Sequence, residues 1–513
     1  MIKIADFLVV LLLMKKTLII SFLLASTTFC KAQKDFITLP ILEKNFGKYE
    51  ATFIDNDGQS ALVFKNKKQI LIYPFTLDGE VGELIKAQIP DSYMQSTLHA
   101  HVYDQGNYVF YFSRSKNKDF TALVVDSNTG HAVTKNLGIS LGKEKFIETF
   151  SSRGRFYILS LVKNEWTLNL YEVGTNQKSE VSNFDFEEIN LEYALFSYGI
   201  GGQARFRLIP QDAPVNLNIT NVDTKIYYNS DSLTFTFEDN YETIFKSINL
   251  DTKKLSKSIL EYESFDKGNT FPQFNTFIKN NLIYAGISNS RRMFFYIKDL
   301  SNGKVLSKFE FSRDEPIPFA STGIVQEGGS SFYSPATRDL SKTKQLLRKI
   351  YSSALAISVT ENTTNTLELT IGSYKEVQQV NSGMGYGMPV GSFGGGATVF
   401  VNPYAFGYGS STLTKSAFFS SVLDGETLDH LPEKKAGQSP WKRIYEYEKS
   451  IKLVRYLKPS SSPSANKPGA QQVKPITYQP KVISVYKLKD KYLFGYYDSP
   501  SREYRIKSFE LED

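Results

Sequence analysis

The sequence predicts an all-β chain built from repeated four-stranded antiparallel units, and three observations carry that expectation. Aromatic runs of strand length come in pairs, as in Tyr108-Val109-Phe110-Tyr111-Phe112 followed by Thr121-Ala122-Leu123-Val124-Val125. The pairs are followed by similar turn chemistry, at Asp78-Gly79, Asp126 to Gly130, Gly174-Thr175-Asn176, Asp251-Thr252, Asp299 to Gly303 and Asp424-Gly425. The steps from Asp78 to Asp126, Asp126 to Gly174 and Asp251 to Asp299 are each 48 residues. Four strands of about 5–6 residues with short turns need roughly that length, and repetition every 40–50 residues is the sign of a β-propeller. Seven blades count out, and the two irregular steps leave six or eight as neighbouring counts.

Taken in order, Phe156–Leu161 with Thr167–Tyr171 and Leu282–Ile287 with Met293–Ile297 are clear strand pairs bounded by Asn, Gly and Ser. Ile226–Tyr228 with Leu233–Phe237 and Ala354–Val359 with Leu367–Ile371 are weaker pairs. Val482–Tyr486, Tyr492–Tyr497 and Tyr504–Phe509 are three strands at the C-terminus. An open ring would expose sheet edges, so Phe36-Ile37-Thr38-Leu39, or the strand after Tyr49, is expected to complete that last blade. The step from Gly174 to Asp251 is 77 residues and implies an insertion; the step from Asp299 to Asp424 is 125 and implies a long insertion or an extra blade. Inside the latter, residues 382–411 are rich in Gly and aromatics and read as a loop projecting from a blade. Residues 458–480 hold five of the 19 prolines and read as a flexible spacer. Residues 433–451, with Trp441, Ile444, Tyr445 and Tyr447, read as a short helix.

The N-terminus sets an expected compartment. Lys15 and Lys16 precede the apolar run Leu18–Leu24, and Cys30-Lys31-Ala32 places small residues at −3 and −1 for cleavage after Ala32. Residues 1–32 are therefore expected to be a signal peptide, with Met14 as an alternative start and residues 33–513 as a single propeller domain. Neither apolar run reaches the roughly 18–20 residues of a membrane span. Cys30 as a lipidation site is disfavoured by Phe29 in front of it. A chain beginning at Gln33 has no cysteine, which removes disulfides and thiolate chemistry. Cleavage takes the net charge from +7 to +4, since four Lys and one Asp leave with the segment. That slight, dispersed charge gives no nucleic-acid signature.

Chemistry-bearing motifs are few. His99 and His101, two apart on a strand, are expected to share a face, but His131 and His430 offer no third ligand at metal spacing. No nucleophile elbow and no phosphate-binding loop is present, so no catalytic residue, cofactor or metal is expected. Arg205, Arg207, Arg291, Arg292 and Arg313 are candidate pore or rim residues for an anion. Tyr386, Phe393, Phe400, Tyr404, Phe406 and Tyr408 form the candidate contact loop, since exposed apolar surface marks interaction sites.

One turn carries a resemblance. Ser264-Phe265-Asp266-Lys267-Gly268-Asn269-Thr270-Phe271 resembles the Asp box of sialidase-like propellers, S-x-D-x-G-x-T-W, through Ser264, Asp266, Gly268 and Thr270, with Phe271 in the Trp place. Phe206-Arg207-Leu208-Ile209-Pro210 resembles the same family's F/Y-R-I-P element with one extra residue. The resemblance implies a structural hairpin turn and, as an alternative function, a glycan-active or glycan-binding propeller. The leading expectation is an exported, non-catalytic binding or scaffold propeller of the bacterial cell envelope. It is expected to sit in the periplasm or at the outer membrane, with an envelope protein or a glycan as partner.

Overall fold

The computed structural model describes residues 33–511 apart from 57–58, 91–95, 115–116, 163–164, 197–205, 210–216, 240–241, 263–271, 329–336, 364, 379–411, 432–439, 454, 457–475 and 478–479. Its strands fall into seven blades. The first described strand is β1 (Gln33–Pro40), and blade 1 follows as β2 (Glu50–Asn56), β3 (Gln59–Lys65), β4 (Gln69–Phe75) and β5 (Ile85–Gln88). Blade 2 is β6 (Thr97–Asp104), β7 (Asn107–Arg114), β8 (Asp119–Asp126) and β9 (Ala132–Ser140). Blade 3 is β10 (Lys145–Ser152), β11 (Arg155–Leu161), β12 (Thr167–Val173) and β13 (Ser179–Asp185).

The 77-residue step is an insertion, as expected. Helix α1 (Leu191–Phe196), β14 (Phe206–Ile209) and α2 (Leu217–Thr220) precede the regular strands of blade 4, which are β15 (Thr224–Tyr228), β16 (Ser232–Asp239), β17 (Glu242–Asn249) and β18 (Leu255–Glu261). Blade 5 is β19 (Gln273–Lys279), β20 (Leu282–Ser288), β21 (Arg292–Asp299) and β22 (Val305–Ser312).

The 125-residue step resolves as an insertion within one blade. β23 (Ile324–Gly328), β24 (Thr337–Leu340) and α3 (Thr343–Tyr351) come first. Blade 6 proper follows as β25 (Ala354–Thr363), β26 (Thr366–Gln378), β27 (Thr412–Asp424) and β28 (His430–Leu431), with β23 and β24 added to the far half of β27. Helix α4 (Pro440–Leu453) and the small pair β29 (Arg455–Tyr456) and β30 (Ile476–Thr477) lead into β31 (Lys481–Leu488), β32 (Lys491–Asp498) and β33 (Glu503–Glu510). β1 pairs antiparallel with β33, Gln33 opposite Phe509 and Leu39 opposite Tyr504, so both chain ends share blade 7 and close the ring.

Burial explains which strands are legible. Middle strands such as β7 pack on both faces and read as continuous apolar runs. Tyr108, Phe110 and Phe112 meet Ile54, Ala61 and Val63 of blade 1, while Val109 and Tyr111 meet Phe156 and Ile158 of blade 3. Each such buried side chain contributes about 1.5–3 kcal/mol, so each junction between blades is a core of its own. Outer strands β9, β13 and β22 are mostly exposed and polar.

The repeated turns join the third and fourth strands of blades 1 to 6, and four of them share one geometry. The anchors Asp126, Asn249, Asp299 and Asp424 each donate their backbone N–H five residues ahead and accept one from four residues ahead. The closing residues Gly130, Lys253, Gly303 and Leu428 all have positive φ. In blade 4 the anchor is Asn249, two residues before the Asp251 that the sequence pattern singles out.

Candidate functional site

Strand order puts β2, β6, β10, β19, β25 and β31 at the channel edge of their blades, and polar side chains bridge from one inner strand to the next. His101 Nε2 donates to the Phe53 carbonyl of blade 1 at 2.6 Å. His99 turns the other way, with Nδ1 3.3 Å from Thr149 Oγ1 of blade 3 and Nε2 2.5 Å from Ser113 Oγ. Ser113 spends its proton on Asn117 Oδ1, so His99 carries its hydrogen on Nε2 and accepts at Nδ1. The two imidazoles do not share a face. A register shift between Leu98 and Ala100 interrupts the two-residue alternation and sends them to opposite neighbours. Burial lowers both pKa values, that of His99 to about 4, so both rings are neutral inter-blade ties.

Further ties follow around the ring. Ser152 Oγ donates to the Asn229 carbonyl at 3.2 Å, and Arg153 pairs with Asp231 and, at 2.9 Å, with Asp251. Glu238 of blade 4 accepts the N–H and hydroxyl of Thr276 of blade 5 at 2.7 and 2.9 Å. Asn275 of blade 5 accepts the N–H of Ile357 of blade 6 at 3.0 Å. Glu361 of blade 6 pairs with Lys487 of blade 7 and lies 4.0 Å from Lys279 of blade 5. Burial would raise the Glu361 carboxyl, but the two lysines outweigh it and hold its pKa down. Between blades 7 and 1 the rings of Tyr486 and Phe53 stack at 5.0 Å.

Blade 4 departs from the others. β14 pairs in parallel with β15 on its channel side, and α2 packs on β25 and β26 of blade 6. Asn275 Nδ2 donates to the Thr220 carbonyl at 3.0 Å, so the insertion runs along the channel rim of blades 4, 5 and 6. Beneath it, Lys225 is fully buried and bonds Glu238 at 2.6 Å. Burial pushes the Glu238 carboxyl up, against the opposing pull of Lys225 and Thr276. Asn221, Asp223, Glu238, Gln273 and Asn275 line a cavity of about 270 Å³ at this end of the channel. At the other end, Phe53, Asp55, His101, Tyr103, Arg153 and Tyr486 line one of about 180 Å³.

The candidate residues do not converge. Arg207 lies on β14 at the channel side, with Nη1 3.2 Å from the Phe206 carbonyl. Arg291, Arg292 and Arg313 gather instead at the β20–β21 hairpin of blade 5, where Arg313 N–H donates to the Arg291 carbonyl at 2.7 Å. Arg205, the Asp-box-like residues Ser264, Asp266, Gly268, Thr270 and Phe271, and the loop residues Tyr386, Phe393, Phe400, Tyr404, Phe406 and Tyr408 lie outside the described residues. Their attachment points are clear: 263–271 joins blade 4 to blade 5, and 379–411 joins β26 to β27. His430 bonds Ser321 Oγ through Nε2 at 3.1 Å. Among the described residues no group of three His, Cys, Asp or Glu could hold a metal ion, and no helix is long and apolar enough to cross a membrane.

The site residues that sequence reasoning missed are Lys225, Glu238, Asn275 and Glu361. Each is a polar residue in or beside an apolar strand, a signal that marks burial but not the partner on the next blade.

No family model matches the chain, and no curated protein is similar to it in sequence. Among solved structures it is similar to the Nup133 β-propeller domain of Vanderwaltozyma polyspora, with TM-score 0.25, 10% identity and coverage of 53% of this chain and 77% of that one. It is also similar to the WD40 domain of SCAP from fission yeast, with TM-score 0.27, 9% identity and coverage of 66% and 69%. A subtype N10 neuraminidase-like protein of A/little yellow-shouldered bat/Guatemala/060/2010 gives TM-score 0.23, 11% identity and coverage of 53% and 85%. By their sheet order and the closure through β1, the described residues form a seven-bladed β-propeller.

Proposed function

We propose that the protein is exported and serves as a rigid platform that presents residues 382–411 to a protein partner of the bacterial cell envelope. The observation that carries this reading is the β26–β27 hairpin. Its strands are 13 residues each and stay in register from Thr366–Asp424 to Gln378–Thr412, whereas the middle strands of the other blades have 7 or 8. β23, β24 and α3 brace the extension. A support of this kind suits a segment whose Gly and aromatic residues bind by contact area, because ordering the base in advance lowers the entropic cost of association. The ties at every blade junction and the insertion along the channel rim favour rigidity over an open catalytic funnel. Cleavage after Ala32 fits the same reading, since it leaves the closing strand β1 whole from Gln33 onward.

Replacing residues 382–411 by a short Gly/Ser linker tests it. Loop closure changes by only about 0.6 kcal/mol per halving of length, so the Tm should stay within a few degrees while partner recovery from envelope extracts collapses. Unchanged recovery would remove the segment from the function. The glycan-active alternative draws on the Asp-box-like turn at Ser264–Phe271. Turnover of sialosides or aryl glycosides, abolished by Glu238→Gln, would replace the platform reading with it.

A further inference from the structure

The face of blade 6 under α3 gathers cations in rows where the described strands place no carboxylate. β26 and β27 set Ile371 opposite Phe419, Ser373 opposite Ala417 and Lys375 opposite Lys415. By the two-residue period, the buried Ile371 and Phe419 and the exposed Lys375 and Lys415 stand on one face. β23 extends these rows, with Gln326 beside Ala417 and Gly328 beside Lys415, and β24 places Arg338 beside Gln326. Leu346, Leu347 and Ile350 of α3 cover the apolar part of the face, and the last turn of α3 brings up Arg348 and Lys349. Burial first, then the charges of Arg338, Arg348 and Lys415, holds the Lys349 ammonium below its ordinary pKa, and no carboxylate is among the groups acting on it.

The carboxylates beside these rows in the same sheet, Glu327, Asp339 and Glu376, are each one residue out of phase with the cations along their strands. The adjoining segments 329–336 and 379–411 contain no Asp or Glu, so they bring no counter-charge in any conformation. Gln326 Oε1 lies buried in the same row with no hydrogen-bond partner among the described residues. Arg348 and Lys349 alone have a simpler explanation, because cations favour a helix C-terminus. Lys375 and Lys415 do not, since they stand directly opposite each other on paired strands, where like charges destabilise the pairing, and Arg338 lies on a strand in the next row, beside Gln326.

We propose that Arg338, Lys349, Lys375 and Lys415, with Arg348 at the rim, bind a phosphate group, carried by an anionic phospholipid headgroup or free in solution. Phosphate fits because it concentrates charge on several acceptor oxygens that one guanidinium fork and several ammonium groups can share. The proposal is independent of any contact role for residues 382–411.

The test uses the chain from Gln33 at low ionic strength with two probes: pyrophosphate by calorimetry, and vesicles of phosphatidylcholine with or without phosphatidylglycerol by co-sedimentation. Binding to pyrophosphate, to the phosphatidylglycerol vesicles, or to both supports the site, and the pattern identifies the source of the phosphate. Arg338→Gln/Lys415→Gln, and separately Lys375→Gln, should weaken binding, the double variant by at least about tenfold. The ligand-free Tm of each should match or exceed that of the parent, because repulsion is relieved. Failure to bind either probe, undiminished binding by the variants, or a lower ligand-free Tm would overturn the proposal.

Discussion

His99 and His101 show how one shifted residue pair changes chemistry. On an ideal strand they would share a face; the register shift at Leu98/Ala100 makes each a tie to a different blade. Burial depresses both folded pKa values below 6.5, so the stability they confer is complete above that value and is lost as pH falls below it, for His99 down to about 4. Thermal scans across that window should show the Tm falling with acid. The slope should flatten in His99→Gln/His101→Gln, and an unchanged slope would assign the acid sensitivity to other groups. Asn249 is a second residue with a readable role. Its Oδ1 accepts the N–H groups of Asp251 and Thr252 and the Thr252 hydroxyl, as Asp126 does for Asn128 and Thr129. Asn249→Ala should cost about 1 kcal/mol in denaturant titration, whereas Asn249→Asp, which restores the residue used at three sister turns, should be close to neutral.

At the scale of elements, the contact between blades 4 and 5 combines an apolar interface with one buried ion pair. Lys225 on β15 and Glu238 on β16 neutralise each other, and Glu238 also satisfies Thr276 on β19. Removing one partner strands the other charge away from water, so Lys225→Met should destabilise by about 3–5 kcal/mol. Since Glu238 is then buried without its cation, added Glu238→Gln should restore part of the loss while keeping an acceptor for Thr276. Denaturation midpoints of the single and double variants measure this, and a Lys225→Met protein as stable as the parent would show that the pair is dispensable.

For the whole molecule, closure is the property that most affects stability. β1 supplies the outer strand of blade 7 and buries Ile37 and Leu39 in the core shared with blade 1. Deleting residues 33–40 leaves β33 with a free edge and opens that core. The truncated protein should lose several degrees of Tm and aggregate on concentration, as exposed edges do. Monomeric behaviour with an unchanged Tm, by light scattering and calorimetry, would argue against closure as the stabilising device.

Much of this architecture is written locally. Middle strands buried on both faces must be apolar along their length, and tight turns need Asp, Asn or Gly, so strand pairs and blade spacing are legible residue by residue. The three C-terminal strands likewise called for a closing partner from the N-terminal side, and of the two candidates, Phe36–Leu39 and the strand after Tyr49, the sheet pairing selects the first. The phase of the turn in blade 4 was not legible, because Asn249 and Asp251 are equally good turn formers and only backbone hydrogen bonds decide which is the anchor. Nor was the polar ring: Glu238, Asn275, Glu361 and the two histidines find partners tens of residues away across blade junctions. Local pattern thus determined the main strand pairs and their turns, because each depends on neighbours a few residues apart, while the choice among six, seven and eight blades came from the sheet pairing. Tertiary structure alone decided which charges are paired and which are left open, because that depends on which faces the ring brings together.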